Sequence, residues 1–291
     1  MHTNQSSTKS FKKLYTQIME RYNNTLMLVT GASSGIGKHA AITLLSEIDQ
    51  QNQIKNFEIK PIVIGISRRK IDDIKNENFI SKTADLSKFE NIKKVFEEID
   101  QEFPDRKISV LVNNAGLARA VPILSDERLL ETCNPDNSFE NAAKSFSEMM
   151  NLNVTALTLC TRLAVEKMDH DFPGYIINIS SMSSHIISQM TSIHFYTATK
   201  FAVKALTEAT RQEFRQLKSK IRVGQICPGF VDTGFFEAMK VDNKEFDATI
   251  GNVRPMALKC EDVSDAMMMM VKSHDRCQYG DIQLRPVEQV E

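Results

Sequence analysis

Tyr196 and Lys200 lie four residues apart in a segment of helical periodicity, so their side chains share one face of a predicted helix. A free tyrosine loses its proton at about pH 10, and lowering its pKa to about 7 needs ~4 kcal/mol, at about 1.36 kcal/mol per pKa unit. An ammonium about 4 Å away supplies about 4 kcal/mol at an effective dielectric of about 20. Before desolvation opposes it, the pair is therefore sufficient to give a tyrosine that exchanges a proton near neutral pH. Taken alone, this spacing is more often an ordinary surface pair, so the interpretation depends on the accompanying motifs.

A glycine-rich segment, Thr30 to Gly37, follows a short apolar run and precedes a helical pattern. The first glycine would permit a tight turn, the second would let the backbone approach a pyrophosphate, and the third would let the helix pack close to the sheet. The free N–H groups at the start of that helix would face the phosphates, whereas the alternative is a plain turn. The predicted phosphate-binding residues are Gly31, Ser33, Ser34, Gly35, Ile36 and Gly37.

The end of the second predicted strand, Ser67-Arg68-Arg69, bears on which dinucleotide is bound. A site for NAD places a carboxylate here to bind the ribose 2′-hydroxyl, and this position carries none. Two guanidinium groups are instead suited to a 2′-phosphate, because each offers planar donors and a permanent charge. The sequence therefore predicts NADP as the cofactor, with a solvated surface pair or an NAD site as the alternatives.

Alternating strands and helices must position these motifs. The predicted strands are residues 26–30, 61–66, 80–84, 110–112, 175–179, 221–227 and 281–284. The predicted helices are residues 35–48, 88–102, 138–169 (long or broken), 195–217 and 261–273. This order predicts an α/β fold: a Rossmann-type, doubly wound sheet of seven parallel strands in a single domain. Residues 25–291 would form that domain, and residues 1–24 an N-terminal extension.

The composition excludes several classes of protein. With 36 basic and 37 acidic residues among 291, the chain lacks the basic excess of a nucleic-acid binder. It has no apolar run approaching the ~20 residues of a membrane span. Five scattered cysteines without a CxxC pair argue against a disulfide framework, and six scattered histidines argue against a metal site. We expect a cytoplasmic protein, with the mitochondrial matrix as the alternative because residues 1–19 contain no acid; a single arginine in the extension counts against a presequence.

Four motifs together resemble the short-chain dehydrogenases/reductases over residues 25–291. They are the TGxxxGxG loop from Thr30, Asn113-Asn-Ala-Gly116, Tyr196-x-x-x-Lys200 preceded by Ser181, and Pro228-Gly229 followed by Val231 and Thr233. The segment from Ser181 to His185 and the tail from Gly280 to Val290 resemble the branch that includes vertebrate keto-steroid reductases and insect farnesol dehydrogenases.

The resemblance implies a catalytic role for four residues. Tyr196 would exchange the proton with the substrate oxygen, and Lys200 would also hold the nicotinamide ribose. Ser181 would hydrogen-bond the substrate oxygen, with Ser183 as the competing serine. Asn153 would hold a proton-relay water, with Asn151 as the competing asparagine.

The resemblance also implies the remaining cofactor contacts. Asp85 and the Leu86 backbone would meet the adenine, although the start of a helix explains Asp85 equally well. Asn113, Ala115 and Gly116 would line the adenosine ribose. Pro228, Gly229, Val231 and Thr233 would seat the nicotinamide carboxamide.

The substrate and the assembly are predicted in outline. In this family residues 234–257 form a lid, and its apolar residues here suggest an apolar alcohol or carbonyl substrate. The segment 125–146 is longer than is usual in this family and is expected to be a surface loop near the substrate. The resemblance implies a homodimer or homotetramer, formed through the long helices 138–169 and 195–217. The expected function is an NADP-dependent oxidoreductase; the alternatives are a catalytically silent NADP-binding sensor or scaffold and an NAD-dependent alcohol dehydrogenase.

Overall fold

The protein, seen in a computed structural model that describes residues 19–54, 57–126, 128–129, 138–239 and 251–289, is built on one sheet. Its seven strands are all parallel and lie in the order β3-β2-β1-β4-β5-β6-β7. They are β1 (Thr25–Thr30), β2 (Ile62–Ser67), β3 (Phe79–Thr83), β4 (Lys107–Asn113), β5 (Tyr175–Ile179), β6 (Arg222–Pro228) and β7 (Asp281–Leu284). The strand order reverses between β1 and β4, which opens a crevice at their carboxyl ends. The predicted doubly wound fold is confirmed.

Helices cover both faces of the sheet. They are α1 (Gly35–Ile54), α2 (Phe89–Glu102), α3 (Phe139–Met150), α4 (Leu157–Lys167), α5 (His194–Gln216) and α6 (Cys260–Val271). Side chains of β1 alternate between two buried layers: Met27 and Val29 pack with α1 and α6, whereas Leu26 and Leu28 pack with α2 and α4. A strand buried on both faces is apolar throughout, which is why β1 shows as a continuous apolar run in the sequence.

The predicted helix over residues 138–169 is broken. A π-helical turn, Asn151–Ala156, separates α3 from α4, and Asn153 is buried within it. Such turns shift the side chains of one helical turn relative to the next and are frequent at functional sites. The interruption therefore decides where Asn153 points.

Part of the predicted N-terminal extension belongs to the core. Met19 and Tyr22 are fully buried, and the Tyr22 hydroxyl donates to the Val271 carbonyl oxygen at 2.9 Å. Residues 1–18, which include most of the predicted helix or presequence, lie outside the described residues. The division of the chain after residue 24 stays a prediction.

The expected surface loop at residues 125–146 is helical over its last part. Ser138 caps α3 by accepting a hydrogen bond from the Asn141 N–H at 3.3 Å, so the helix begins at Phe139. Residues 127 and 130–137, including Cys133, lie outside the described residues. Within the described chain, no helix combines the length and apolarity needed to cross a bilayer.

Candidate active site

The crevice between β1 and β4 is fixed by one threonine hydroxyl. Thr30 Oγ1 accepts hydrogen bonds from the backbone N–H groups of Asn114 and Ala115, at 2.9 and 3.0 Å. Thr30 is 2% exposed, so these bonds are shielded from water. The glycine loop after β1 and the Asn113–Gly116 segment after β4 are thereby held together.

Asn114 completes this clamp, and sequence reasoning assigned it no role. Its Nδ2 donates to the carbonyl oxygens of Thr30 and Gly31 at 3.0 and 3.3 Å. A Cβ on Gly37 would lie 2.3 Å from Asn114 Nδ2 and 2.5 Å from Gly31 O. The third glycine of the loop therefore leaves room for the asparagine clamp as well as for helix packing. The position of Asn114 as the second asparagine of the Asn113–Gly116 motif was the sequence feature that could have indicated this role.

Replacing Gly37 with alanine is expected to displace this clamp and weaken dinucleotide binding. Overpacking at a rigid backbone contact costs about 1–3 kcal/mol, which corresponds to about 5- to 150-fold in Kd. Calorimetric titration with NADPH would measure the change. Gly280→Ala is the matched control, because no atom of the described residues lies within 4 Å of a Cβ added there. An unchanged Kd in Gly37→Ala would show that the clamp does not support the site.

The glycine loop has the geometry of a phosphate cradle. Gly31 and Gly35 adopt left-handed backbone conformations, with φ of +69° and +54°, and α1 begins at Gly35. A Cβ on Gly35 would lie 3.3 Å from Thr233 Cγ2, so Thr233 reaches over the loop. Free N–H groups at the helix start and glycines that keep the backbone bare suit a pyrophosphate. These residues therefore fit a dinucleotide, and the first and last predicted cofactor motifs meet here.

The end of β2 presents two arginines to solvent. Arg68 and Arg69 are exposed, while Ser67 is buried and its hydroxyl donates to the Arg69 carbonyl oxygen. The nearby acids Asp72 and Asp73 are paired with other cations, Lys70 and Lys38. Within the described parts of the chain, neither guanidinium has a carboxylate within salt-bridge distance. Both charges are thus available to an anion at the edge of the crevice.

The predicted acid–base pair is buried on α5. Tyr196 is 8% and Lys200 6% exposed, and Lys200 Nζ lies 5.5 Å from the centre of the Tyr196 ring. The lysine also donates to the Ile179 carbonyl oxygen at 3.0 Å, at the end of β5. Helix and sheet together therefore hold the ammonium beside the ring.

The π-helical turn brings Asn153 to the same place. Its Oδ1 accepts from the Leu117 N–H and its Nδ2 donates to the Leu117 carbonyl oxygen, both at 2.8 Å. A Cβ on Gly116 would lie 3.3 Å from Asn153 Oδ1 and 3.9 Å from Lys200 Nζ. Asn153 is thus next to Lys200, whereas Asn151 is half-buried at the start of the turn.

Ser181, rather than Ser183, contacts the tyrosine. The Ser181 hydroxyl lies close enough to Tyr196 to lower the pKa of the tyrosine hydroxyl, and its Oγ accepts from the Ser183 N–H at 3.1 Å. Ser181 follows β5 after one buried residue, Ser180, so its hydroxyl emerges at the carboxyl edge of the sheet. The four predicted catalytic residues are therefore brought together.

Burial dominates the electrostatics of the pair. It raises the pKa of Tyr196 above its usual value, and the nearby Ser181 hydroxyl offsets only part of the rise. It lowers the pKa of Lys200 to about 8. Desolvation thus opposes the effect of the lysine charge on the tyrosine pKa, and in the protein without a cofactor it is the larger of the two effects. Both groups have left water, and the ammonium is directed at a carbonyl oxygen as well as at the ring.

Two of the other predicted cofactor residues are engaged within the protein. Asp85 Oδ1 accepts from the Ser87 N–H and hydroxyl, at 3.1 and 2.7 Å, and the residue capping α2 is Lys88. Asn113 Nδ2 donates to Thr161 Oγ1 and Asn178 Oδ1, at 2.9 and 3.0 Å. The Asn113 amide thus ties β4 to α4 and β5. Leu86 is buried in the core, so only its backbone is suited to a ligand.

The segment after β6 is supported by the C-terminal tail. The Gly229 N–H donates to the Leu284 carbonyl oxygen at 2.7 Å, and Gln289 Oε1 accepts from the Phe230 N–H at 3.1 Å. A Cβ on Gly229 would lie 2.1 Å from Gln289 Oε1. Val231 continues the segment by pairing with Leu258. Sequence reasoning matched the tail to a family branch but did not find this role for Gln289.

An apolar wall surrounds Tyr196. The Phe235 ring lies 5.8 Å from the Tyr196 ring, and Phe146 stacks on Phe195 with ring centres 4.2 Å apart. The other members of this cluster are Leu117, Ala118, Ala120, Met149, Met190, Ile193, Phe236 and Met239. Residues 240–250 of the predicted lid lie outside the described residues. The described part supplies an apolar environment for a substrate next to the tyrosine.

Several known proteins are similar in sequence to this chain over most of its length. A family model described as short chain dehydrogenase matches residues 25–244. The human protein dehydrogenase/reductase SDR family member 11 is 36% identical over 285 residues, covering 94% of this chain and 98% of that protein. Farnesol dehydrogenase of Aedes aegypti is 28% identical over 279 residues, covering 92% of this chain and 98% of that protein.

Solved structures share the fold. A closed form of serine dehydrogenase complexed with NADP+ superimposes with a TM-score of 0.72 at 25% identity, covering 92% of this chain and 97% of that chain. A metagenomic short-chain oxidoreductase in complex with NADP gives a TM-score of 0.62 at 22% identity, covering 91% and 98% of the two chains.

Proposed function

The chain belongs to the short-chain dehydrogenase family, and on that basis we propose that it transfers a hydride between NADP(H) and an apolar alcohol or carbonyl compound. The family and the named branch are those that the motifs predict. The chain is accordingly an oxidoreductase that binds a nicotinamide cofactor. Its choice of dinucleotide, its substrate and the roles of individual residues form the proposal.

The convergence of Ser181, Tyr196 and Lys200 at one end of the dinucleotide crevice carries the proposal. In carbonyl reduction, the Tyr196 hydroxyl donates its proton to the substrate oxygen while the Ser181 hydroxyl hydrogen-bonds the same oxygen. The Lys200 ammonium stabilises the tyrosinate that remains. Asn153 anchors the π-helical turn beside the lysine. The nicotinamide, when bound, supplies or accepts the hydride.

The apolar wall supports an apolar substrate. Phe235, Phe195 and Phe146 stand near the tyrosine, so a substrate oxygen that reaches Tyr196 has its carbon skeleton among aromatic rings. One relative is named for farnesol, an apolar alcohol. A buried apolar surface contributes about 25 cal/mol per Å² to binding, which favours long aliphatic or polycyclic ketones over short polar ones.

A panel of carbonyl compounds, followed by NADPH absorbance, tests this function. We expect higher kcat/KM for isoprenoid aldehydes and keto-steroids than for short hydroxy-ketones. Turnover confined to short polar carbonyls would contradict the substrate class. NADPH binding without turnover of any compound would favour the silent sensor.

The pKa of Lys200 predicts how carbonyl reduction depends on pH. Because burial lowers that pKa to about 8, Lys200 is charged below pH 8 and loses its charge above it. The Tyr196 proton is retained across this range, since burial raises the tyrosine pKa. Reduction needs both the proton and the charge, so kcat/KM, which follows the pKa values of the free enzyme, should be constant from about pH 6 to 7 and fall above about pH 8. A rate that rises with pH through this interval would contradict the assignment.

Cytoplasmic location and a homodimeric or homotetrameric state stay predictions. Sedimentation of the purified protein would measure the assembly directly.

A further inference from the structure

A closed polar network lies behind the catalytic serine. The Ser181 turn, defined here as residues 181–185, is a short helical turn in which the Ser184 N–H and hydroxyl both donate to the Ser181 carbonyl oxygen, at 2.9 and 2.7 Å. Ser184 Oγ also lies 3.4 Å from the buried Cys227 Sγ on β6. Cys227 Sγ in turn lies 3.4 Å from Asp281 Oδ1 on β7. The turn is therefore tied to two strands.

His185 closes the network at the end of the Ser181 turn. Its Nε2 lies 3.1 Å from Asp281 Oδ2, an ion-pair distance whose direction is unsuited to a hydrogen bond. Its Nδ1 lies 3.0 Å from Lys204 Nζ on α5. Gln283 Nε2, on β7, is 3.4 Å from the same Nδ1. Lys204 is one helical turn beyond Lys200, so the imidazole bridges the helix of the catalytic lysine and the last strand of the sheet.

The contacts decide the tautomer of His185. An ammonium has only donors, so the Nδ1 that faces Lys204 is an acceptor, and the ring proton of the neutral imidazole is on Nε2, toward Asp281. The ligand atoms of His185, Cys227 and Asp281 all lie within 4.8 Å of one another. Without a metal ion, the Nε2 proton faces Asp281 and burial raises the pKa of Cys227 to about 12. In that state the three groups interact as a neutral imidazole, a thiol and a carboxylate.

We propose that His185 is a positioning residue for Ser181, holding the Ser181 turn between α5 and β7 through Lys204 and Asp281. This inference rests on the proposed function, because its consequence is for the position of the Ser181 hydroxyl beside Tyr196. That hydroxyl lowers the tyrosine pKa against the effect of burial. A loosened turn lets it move away from the tyrosine, so the reaction slows while the dinucleotide crevice, formed by β1 and β4, is unchanged.

Two variants separate the hydrogen bonds from the packing of the ring. His185→Phe keeps a planar ring and removes both nitrogen atoms, whereas His185→Gln offers one donor to Asp281 and one acceptor to Lys204. We expect His185→Phe to lower kcat by about 10- to 100-fold, with KM and the Kd for NADPH within about threefold of the wild-type values. His185→Gln should recover most of the loss. Equal kcat in His185→Phe and wild type, or no recovery in His185→Gln, would overturn the proposal.

Hydrogen exchange gives a readout that needs no turnover. The amides of Ser183 and Ser184 donate to Ser181, so their exchange should accelerate in His185→Phe and return toward the wild-type rate in His185→Gln. Unchanged exchange in His185→Phe would overturn the proposal even if no substrate is found. A wild-type enzyme that is inactive on the whole panel, with exchange as expected, would instead contradict the proposed function. If chelation with EDTA lowered the wild-type kcat to that of His185→Phe, a metal ion would replace the hydrogen bonds as the link.

Discussion

Replacing Tyr196 with phenylalanine is expected to lower kcat for carbonyl reduction by about 10³-fold and to leave the Kd for NADPH within about threefold. The substitution removes the proton donor and keeps the ring that packs against Phe235, 5.8 Å away. Lys200 retains its hydrogen bond to the Ile179 carbonyl oxygen. The loss should therefore fall on the chemical step, measured as steady-state kcat beside a calorimetric titration with NADPH.

A second tyrosine provides the control for losing a buried hydroxyl. Tyr175 is fully buried at the start of β5, at the opposite end of the strand from Ser181, and its hydroxyl donates to the Tyr279 carbonyl oxygen at 2.9 Å. Tyr175→Phe should lower the Tm by a few degrees, about 1 kcal/mol, and leave kcat unchanged. If Tyr196→Phe reduces carbonyls as fast as the wild type, Tyr196 is not the proton donor. If the two variants lose equal activity, the effect of Tyr196→Phe is structural.

The alternation of strands and helices could be predicted from the sequence because strands that are buried on both faces consist mainly of apolar residues. β1 and β5 are buried on both faces; β1 carries a continuous apolar run and β5 one that is interrupted only by Asn178, so their positions follow from composition. β4 extends to Lys107 and Asn113, beyond the predicted residues 110–112. Its ends are set by pairing with β1 and β5, which a single segment does not encode.

The candidate site was predictable as a set of residues but less so as a set of contacts. Spacing placed Tyr196 and Lys200 on one helix face, and the structure agrees. The spacing of the two residues does not reveal how deeply that helix face is buried. Its burial raises the pKa of Tyr196 rather than lowering it. The roles of Asn114 and Gln289 could not be predicted from the sequence for a related reason. Each acts on the backbone of a segment distant in sequence, so no local pattern points to its partner.

Replacing both Arg68 and Arg69 with alanine is expected to raise the Kd for NADPH by about 100-fold and to leave the Kd for NADH within about threefold. The two cofactors differ only in the 2′-phosphate, so the difference between them isolates that group. A charge-assisted hydrogen bond is worth about 1.5–3 kcal/mol, and exposure at the end of β2 favours the lower end. Two such bonds give about 3 kcal/mol, which corresponds to the expected 100-fold.

Lys70 is the control for a general loss of positive charge. Lys70 follows Arg69 directly and is also exposed, like the two arginines, but its ammonium is paired with Asp72 at 2.9 Å. Lys70→Ala should therefore change the NADPH Kd by less than about threefold.

The preference of the wild type for NADPH over NADH should also become smaller between about 50 mM and 500 mM salt, because screening by salt weakens exposed charge pairs. The ratio of the two Kd values in the double variant should show little change. A wild-type protein that binds NADH as tightly as NADPH would contradict the 2′-phosphate site, since Arg68 and Arg69 would then be ordinary surface residues.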